Sequence, residues 1–165
     1  MAWGFPVASV DGQLRARALR LLARREHSRA ELRRKLAPHA EEGFDLEALL
    51  DDFTRRGWLS EERFVEQTVR AKSRRFGPLK IAHHLREKGI DEAGIAEALS
   101  RSTIDRDEAL EAVWRSRFGR APVDAAEKAR QIRFLQGRGF ALESIRKLLR
   151  GVATREPARG SPDPD

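Results

Sequence analysis

The sequence contains no cysteine and no tyrosine, and only three Trp and eight Phe in 165 residues. Without cysteine there is no disulfide framework, no thiolate catalysis and no Cys-ligated zinc. Charged residues make up 36% of the chain, and its longest uncharged stretch is residues 1–10. That is far short of the roughly 20 apolar residues of a membrane span. The opening MAWGFPVASVD lacks the basic cluster of a secretory signal. A cytoplasmic protein with no membrane association is expected. Strand formers are scarce as well, with seven Val and six Ile against 23 Ala and 18 Leu. Ala and Leu favour helix, so the expected class is all-α.

What is abundant is positive charge: 33 Lys and Arg against 26 Asp and Glu, a net +7, with 27 of the basic residues Arg. Arg offers a planar fork suited to phosphate and carboxylate. The charge is patterned. Residues 14–36 carry net +7, 37–69 carry −6, 70–88 carry +6, 89–112 carry −5 and 113–150 carry +7. Three basic blocks alternating with two acidic ones indicate an internal repeat.

The repeat is visible in the residues. SRAELRRKL (28–36) aligns with GPLKIAHHL (77–85) at an offset of 49, pairing Leu32 with Ile81 and Leu36 with Leu85. PLKIAHHLREKGI (78–90) aligns with KARQIRFLQGRGF (128–140) at an offset of 50, pairing Leu85 with Leu135. A Gly and an apolar residue close each copy: Gly43-Phe44, Gly89-Ile90 and Gly139-Phe140.

Each copy reads as three helices. In the first, Leu14, Ala18, Leu21 and Leu22 recur at helical spacing. Ser28 and Glu31 form a capping box for its second helix, and Asp45 starts a third carrying Leu46, Leu49, Leu50 and Phe53. In the second copy Phe64, Thr68 and Ala71 are placed inward, Pro78 opens the middle helix and Asp91 caps the last, which carries Ile95 and Leu99. The third begins near Asp105, with Ala109, Val113 and Trp114 inward. Asp124 and Glu127 form a second capping box, and residues 141–150 make the last helix. The expected organisation is a flexible tail (1–13), repeats at 14–59, 60–103 and 104–150, and a disordered Pro-containing tail (151–165).

No catalytic pattern emerges. His83 and His84 are adjacent, so their side chains diverge by about 100° on a helix and cannot share one ion. The carboxylate pairs lie in solvated acidic helices without an enclosing pocket. Neither G-x-S-x-G, Walker A nor H-E-x-x-H occurs. The expectation is a non-enzymatic protein with no cofactor and no metal.

The basic blocks carry the chemistry. Arg17, Arg20, Arg24, Arg29, Arg33 and Arg34 form the first candidate contact set, and Arg70, Lys72, Arg74, Arg75, Lys80, Arg86 and Lys88 the second. Spaced basic stripes suit a long polyanionic partner, to which Arg and Lys give affinity without sequence readout. The opposing reading is a solvated face paired with the acidic helices. Aromatics do not alternate with the basic residues as a base-stacking platform requires.

The segment Gly57-Trp58-Leu59-Ser60-Glu61-Glu62-Arg63-Phe64-Val65 resembles the G-[YW]-L-[DN]-D-x-R-F-A motif of the RecX family of recombinase regulators. Ser60 and Glu61 stand in place of the usual acidic pair, and Val65 in place of Ala. Gly77-Pro78-Leu79-Lys80-Ile81 and Leu85-x-x-Lys88-Gly89-Ile90 continue the likeness. Ala18-Leu19 through Leu36 is similar to the family's first repeat, and Phe134-Leu135-x-x-Arg138-Gly139-Phe140 to its third. The resemblance spans about residues 14–150. It implies three tandem three-helix repeats in an elongated, curved array. It also implies a regulator that binds the RecA nucleoprotein filament and restrains its growth, ATP hydrolysis and strand exchange, and so modulates recombination, DNA repair and the SOS response; a monomer is expected, since nothing in the sequence demands self-association. Arg63, being part of the motif, is assigned to an internal ion pair with Glu66 or an acidic helix. The competing function is a sequence-nonspecific DNA-binding protein that acts by competing for DNA.

Overall fold

The computed structural model describes residues 10–102 and 105–155, and every helix or strand element among them is helical. In chain order these are α1 (Val10–Leu22), α2 (Arg29–Leu36), α3 (Leu46–Arg55), α4 (Glu61–Lys72), α5 (Pro78–Glu87), α6 (Glu92–Arg101), α7 (Arg106–Arg117), α8 (Ala125–Gly137) and α9 (Leu142–Arg155). A 3₁₀ turn, Ala37–His39, extends α2 and occupies the extra residues of the first copy.

Starts and stops follow local chemistry. The side chains of Ser28, Asp45, Ser60, Asp91, Asp105 and Asp124 each accept an N–H of the helix they open. Gly57, Gly89 and Gly139 end α3, α5 and α8 with φ of +70°, +81° and +87°, a left-handed conformation that costs glycine nothing.

The chain forms two compact units. Among the described residues, one comprises 10–67 together with Leu85–Ala98. Its core buries Leu14, Ala18, Leu32, Leu36, Leu49, Leu50, Phe53 and Leu59, with Leu21, Leu22, Phe44 and Leu46 packed against them. The other comprises Thr68–His84 with 99–102 and 105–155. It encloses Leu110, Trp114, Leu135, Phe140, Ile145, Leu149 and Val152. Gln131 is fully buried in this second unit, at the position aligned with Ile81; its Oε1 accepts the Trp114 indole N–H at 2.8 Å. Trp114 selects a polar partner there because a buried N–H must be satisfied.

Several details depart from the sequence-based expectation. Ala71 is exposed; α4 buries Phe64, Val65, Thr68 and Val69, because its apolar stripe follows the larger Val side chains. Leu110 is the deepest residue of α7, whereas Ala109 and Val113 are half-buried. Residues 10–13 belong to α1, and α9 runs five residues past 150, through Gly151, because Val152 continues the Ile145–Leu149 stripe into the core. Trp3, Phe5 and residues 156–165 lie outside the described part of the chain.

Each unit holds one copy of the same joint. In the first, the Ser28 Oγ at the start of α2 donates to the Lys88 carbonyl at 2.6 Å, and a Cβ on Gly89 would stand 2.7 Å from the Ala30 Cβ. In the second, the Gly77 N–H at the start of α5 donates to the Arg138 carbonyl at 2.8 Å. There a Cβ on Gly139 would stand 2.5 Å from the Lys80 nitrogen. The repeat alignment pairs Ser28 with Gly77, Lys88 with Arg138 and Gly89 with Gly139. Each joint therefore seats the glycine that ends one helix against the start of a helix from the preceding copy.

Candidate functional site

The sequence-predicted contact residues fall into three structural situations. Arg17 and Arg20 on α1, Arg24 just after it, and Arg34 on α2 are exposed and make no ion pair among the described residues. The same holds for Arg70 on α4 and for Arg74 and Arg75 in the turn before α5. These seven guanidinium groups are free to meet an anion.

A second group is matched internally. Arg29 donates to Glu47 and Asp51, each at 2.7 Å, and Arg33 pairs with Glu47 at 2.6 Å, so α2 is bound to the acidic α3. These two guanidinium groups hold the Glu47 carboxyl below its usual range, Arg29 contributing most. Arg86 pairs with Glu92 across the α5–α6 turn. Lys88, largely covered, reaches Glu31 at 3.3 Å.

Glu31 explains why Lys88 turns inward. It lies on the first turn of α2 and its side chain is only 3% exposed. Its carboxylate takes both terminal nitrogens of Arg25, at 2.7 and 3.0 Å, in addition to Lys88. The Arg25 hydrogen bonds, supported by the nearby Arg25 and Lys88 charges, bring its pKa down to about 2 against the opposing effect of burial. The capping box is thus half formed. The Glu31 N–H goes to Ser28, but its carboxylate goes to two cations. In the second box Glu127 does reach back, to the Val123 N–H at 3.1 Å. Arg63 is an internal ion-pair residue, with Glu26 at 2.7 Å as its partner; it also donates to the Gly57 carbonyl at 2.8 Å. Glu26 lies in the turn after α1, which helical spacing along α4 could not reveal.

The third situation surrounds Phe76. Lys80 donates to the Gly137 carbonyl at 3.2 Å and lies over the Phe76 ring, which Lys72 and Arg138 also approach. Sequence reasoning did not select Phe76 or Arg138. The one signal available was the place of Arg138 in the motif that precedes Gly139. His83 is exposed on α5 and His84 half-buried. Among the described residues no three His, Asp or Glu side chains group as metal ligands, and no helix is long and apolar enough to cross a membrane.

Three stretches of the chain match the three domain models of one family. Residues 15–45 match "RecX, first three-helix domain", 60–99 the second and 105–149 the third. The chain is 47% identical to the "Regulatory protein RecX" of Leptothrix cholodnii, over 83% of this chain and 87% of that one. It is 46% identical to that of Chromobacterium violaceum, over 89% and 95%. The fold resembles the crystal structure of RecX from Lactobacillus salivarius, with a TM-score of 0.76 at 18% identity, covering 90% of this chain and 99% of that one. With three matching domains and close relatives over most of its length, the chain belongs to the RecX family of regulatory proteins.

Proposed function

We propose that this protein binds a RecA filament assembled on DNA and restrains its extension, ATP hydrolysis and strand exchange, without catalysis of its own. Membership in a family of regulatory proteins supports the regulatory role, and the filament is the partner that the RecX resemblance implies. The observation that carries the reading is the free Arg set. Arg17, Arg20 and Arg24 in one unit, and Arg70, Arg74 and Arg75 in the other, are exposed and lack acidic partners among the described residues. Two basic surfaces on one chain can engage a repeating anionic assembly at more than one point, so weak contacts add through effective concentration. The work is done in the cytoplasm by a single chain, where the nucleoprotein filament is found.

The test is titration onto preformed recombinase filaments and onto bare DNA at two salt concentrations, with ATP hydrolysis as a second readout. Tighter binding to filaments, with a fall in ATP hydrolysis, is the expected result. Equal affinity and an equal salt slope on bare DNA would instead support simple competition for DNA. Charge reversal at Arg17, Arg20 and Arg24, and separately at Arg70 and Arg74, is expected to weaken inhibition at least tenfold while leaving helicity intact.

A further inference from the structure

Phe76 lies just before α5, and three cations from three segments converge on its ring. The Lys72 Nζ at the end of α4 is 5.7 Å from the ring centroid, and the Lys80 Nζ on the first turn of α5 is 5.1 Å away. The Arg138 guanidinium carbon, at the end of α8, is 5.5 Å away. No two of these cations can be further apart than their ring distances laid end to end, about 11 Å. That upper limit is about one Debye length at 0.1 M salt, roughly 10 Å, so they repel one another. None makes an ion pair with an Asp or Glu among the described residues. The ring face offsets part of the repulsion.

The other joint shows what is missing. There Arg25 and Lys88 also converge, but the buried Glu31 pairs with both and cancels one of their two charges. In the repeat alignment Lys80 occupies the position of Glu31. One structural device thus occurs twice, once closed by an internal carboxylate and once left entirely cationic. Arg74 and Arg75, exposed in the adjoining turn, extend the uncompensated charge.

We propose that the Lys72–Lys80–Arg138 cluster around Phe76 is a phosphate-binding site for the backbone of a single-stranded nucleic acid. A phosphate supplies the negative charge that Glu31 supplies in the other joint. The Arg138 fork can take two of its oxygens, and the lysines act as point charges beside it. A protein partner would use packed aromatic or aliphatic anchors at its energetic centre. Here cations occupy the positions over the Phe76 ring, and the neighbouring exposed Leu79 is a single apolar residue. This goes beyond the filament reading, which requires no direct contact with DNA.

The test uses the full-length chain and a fluorescently labelled oligothymidylate, with anisotropy read over a series of salt concentrations. Two triple variants remove equal charge: K72Q/K80Q/R138Q at the cluster and R133Q/R146Q/R150Q at exposed positions of α8 and α9 outside every proposed contact set. The cluster variant is expected to lose at least tenfold in affinity, and its log K against log salt slope to shallow by about 2, for three phosphate contacts at roughly 0.7 each. The α8–α9 variant is expected to lose less than threefold. A further variant, Lys80→Glu, reproduces the carboxylate of the other joint; it is expected to melt no lower than the parent and to lose oligonucleotide binding. Equal losses in the two triple variants, or full binding by Lys80→Glu, would overturn the site. So would displacement of the oligonucleotide by polyglutamate at equal charge concentration, which would identify an acidic peptide as the ligand. Filament inhibition is not read in this experiment, so failure of the phosphate site and failure of the filament reading are separate outcomes.

Discussion

The Ser28 hydroxyl makes two hydrogen bonds that belong to different levels of the fold. It accepts the Glu31 N–H at 3.1 Å as the cap of α2, and it donates to the Lys88 carbonyl at 2.6 Å, sixty residues along the chain. The side chain is fully buried. Ser28→Ala therefore removes a helix cap, about 1 kcal/mol, and the donor to a part-buried carbonyl, a further 1 kcal/mol or so. A loss of about 2 kcal/mol is expected in urea unfolding. Ser60→Ala removes only the cap of α4, a 3.2 Å bond at an exposed site, and is expected to cost less than half as much.

Glu31 makes the first joint acid-sensitive. Its folded pKa of about 2 lies below the 4.5 of an ordinary glutamate. The folded state thus favours the ionised form, and the associated stability is fully present above about pH 4.5 and lost as the pH falls toward 2. Glu31→Gln is expected to lower stability by about 2–3 kcal/mol at pH 7, since Arg25 and Lys88 lose their shared carboxylate. At pH 2 the parent and the variant are expected to converge. Thermal melts at pH 7, 4 and 2 check this, and a gap that does not narrow on acidification would show that Glu31 acts through shape rather than charge.

Gly139 and Gly57 share a backbone conformation but not an environment. Both have positive φ, so alanine at either costs about 1 kcal/mol from strain alone. Nothing lies within 4 Å of a Cβ at Gly57, whereas one at Gly139 would meet the Lys80 backbone nitrogen at 2.5 Å. Backbone cannot swing aside as a side-chain tip can. Gly139→Ala is expected to cost at least 3 kcal/mol, and Gly57→Ala about 1, in denaturant midpoints at constant m.

Gln131 occupies an apolar position of the repeat because Trp114 needs an acceptor. Gln131→Leu adds hydrophobic area but leaves a buried indole N–H unpaired. A net loss of about 1–3 kcal/mol is expected. Adding Trp114→Phe removes the orphaned donor, so the double variant is expected to be less destabilised than the sum of the two single changes.

Local signals were sufficient for the helices and insufficient for the pairings. Ser28, Asp91 and Asp124 are legible as caps, and Asp45 and Asp105 as starting points, because a cap is read within four residues. Helical spacing alone places Ala71 inward on α4, where Val69 is the buried residue, since spacing does not weigh side-chain size. Glu31 read as a box residue because its true partners include Lys88, 57 residues distant. The same distance hid the roles of the basic residues. Arg29, Arg33, Arg86 and Lys88 look like Arg17 or Arg70 in sequence, and only folding shows that acids meet the former. Phe76 and Arg138 come together only through the second joint, which no spacing within one helix encodes.

Glu47 offers a way to ask whether such internal pairs restrain binding. It accepts both Arg29 and Arg33 at an exposed surface, where ion pairs contribute about 0–1 kcal/mol. Glu47→Gln is thus expected to leave the melting temperature nearly unchanged while freeing Arg33 and leaving Arg29 to Asp51 alone, beside the exposed Arg34. If α2 faces an anionic partner, affinity for preformed filaments should rise two- to fivefold at low salt, and the gain should vanish near 0.5 M salt, where screening removes the long-range attraction. Affinity that stays constant at every salt concentration would place α2 away from the partner and confine the contact to the Arg residues that are already free. A decrease would mean that Glu47 orients Arg29 and Arg33 productively, so that the acid helps binding by holding two flexible side chains in place.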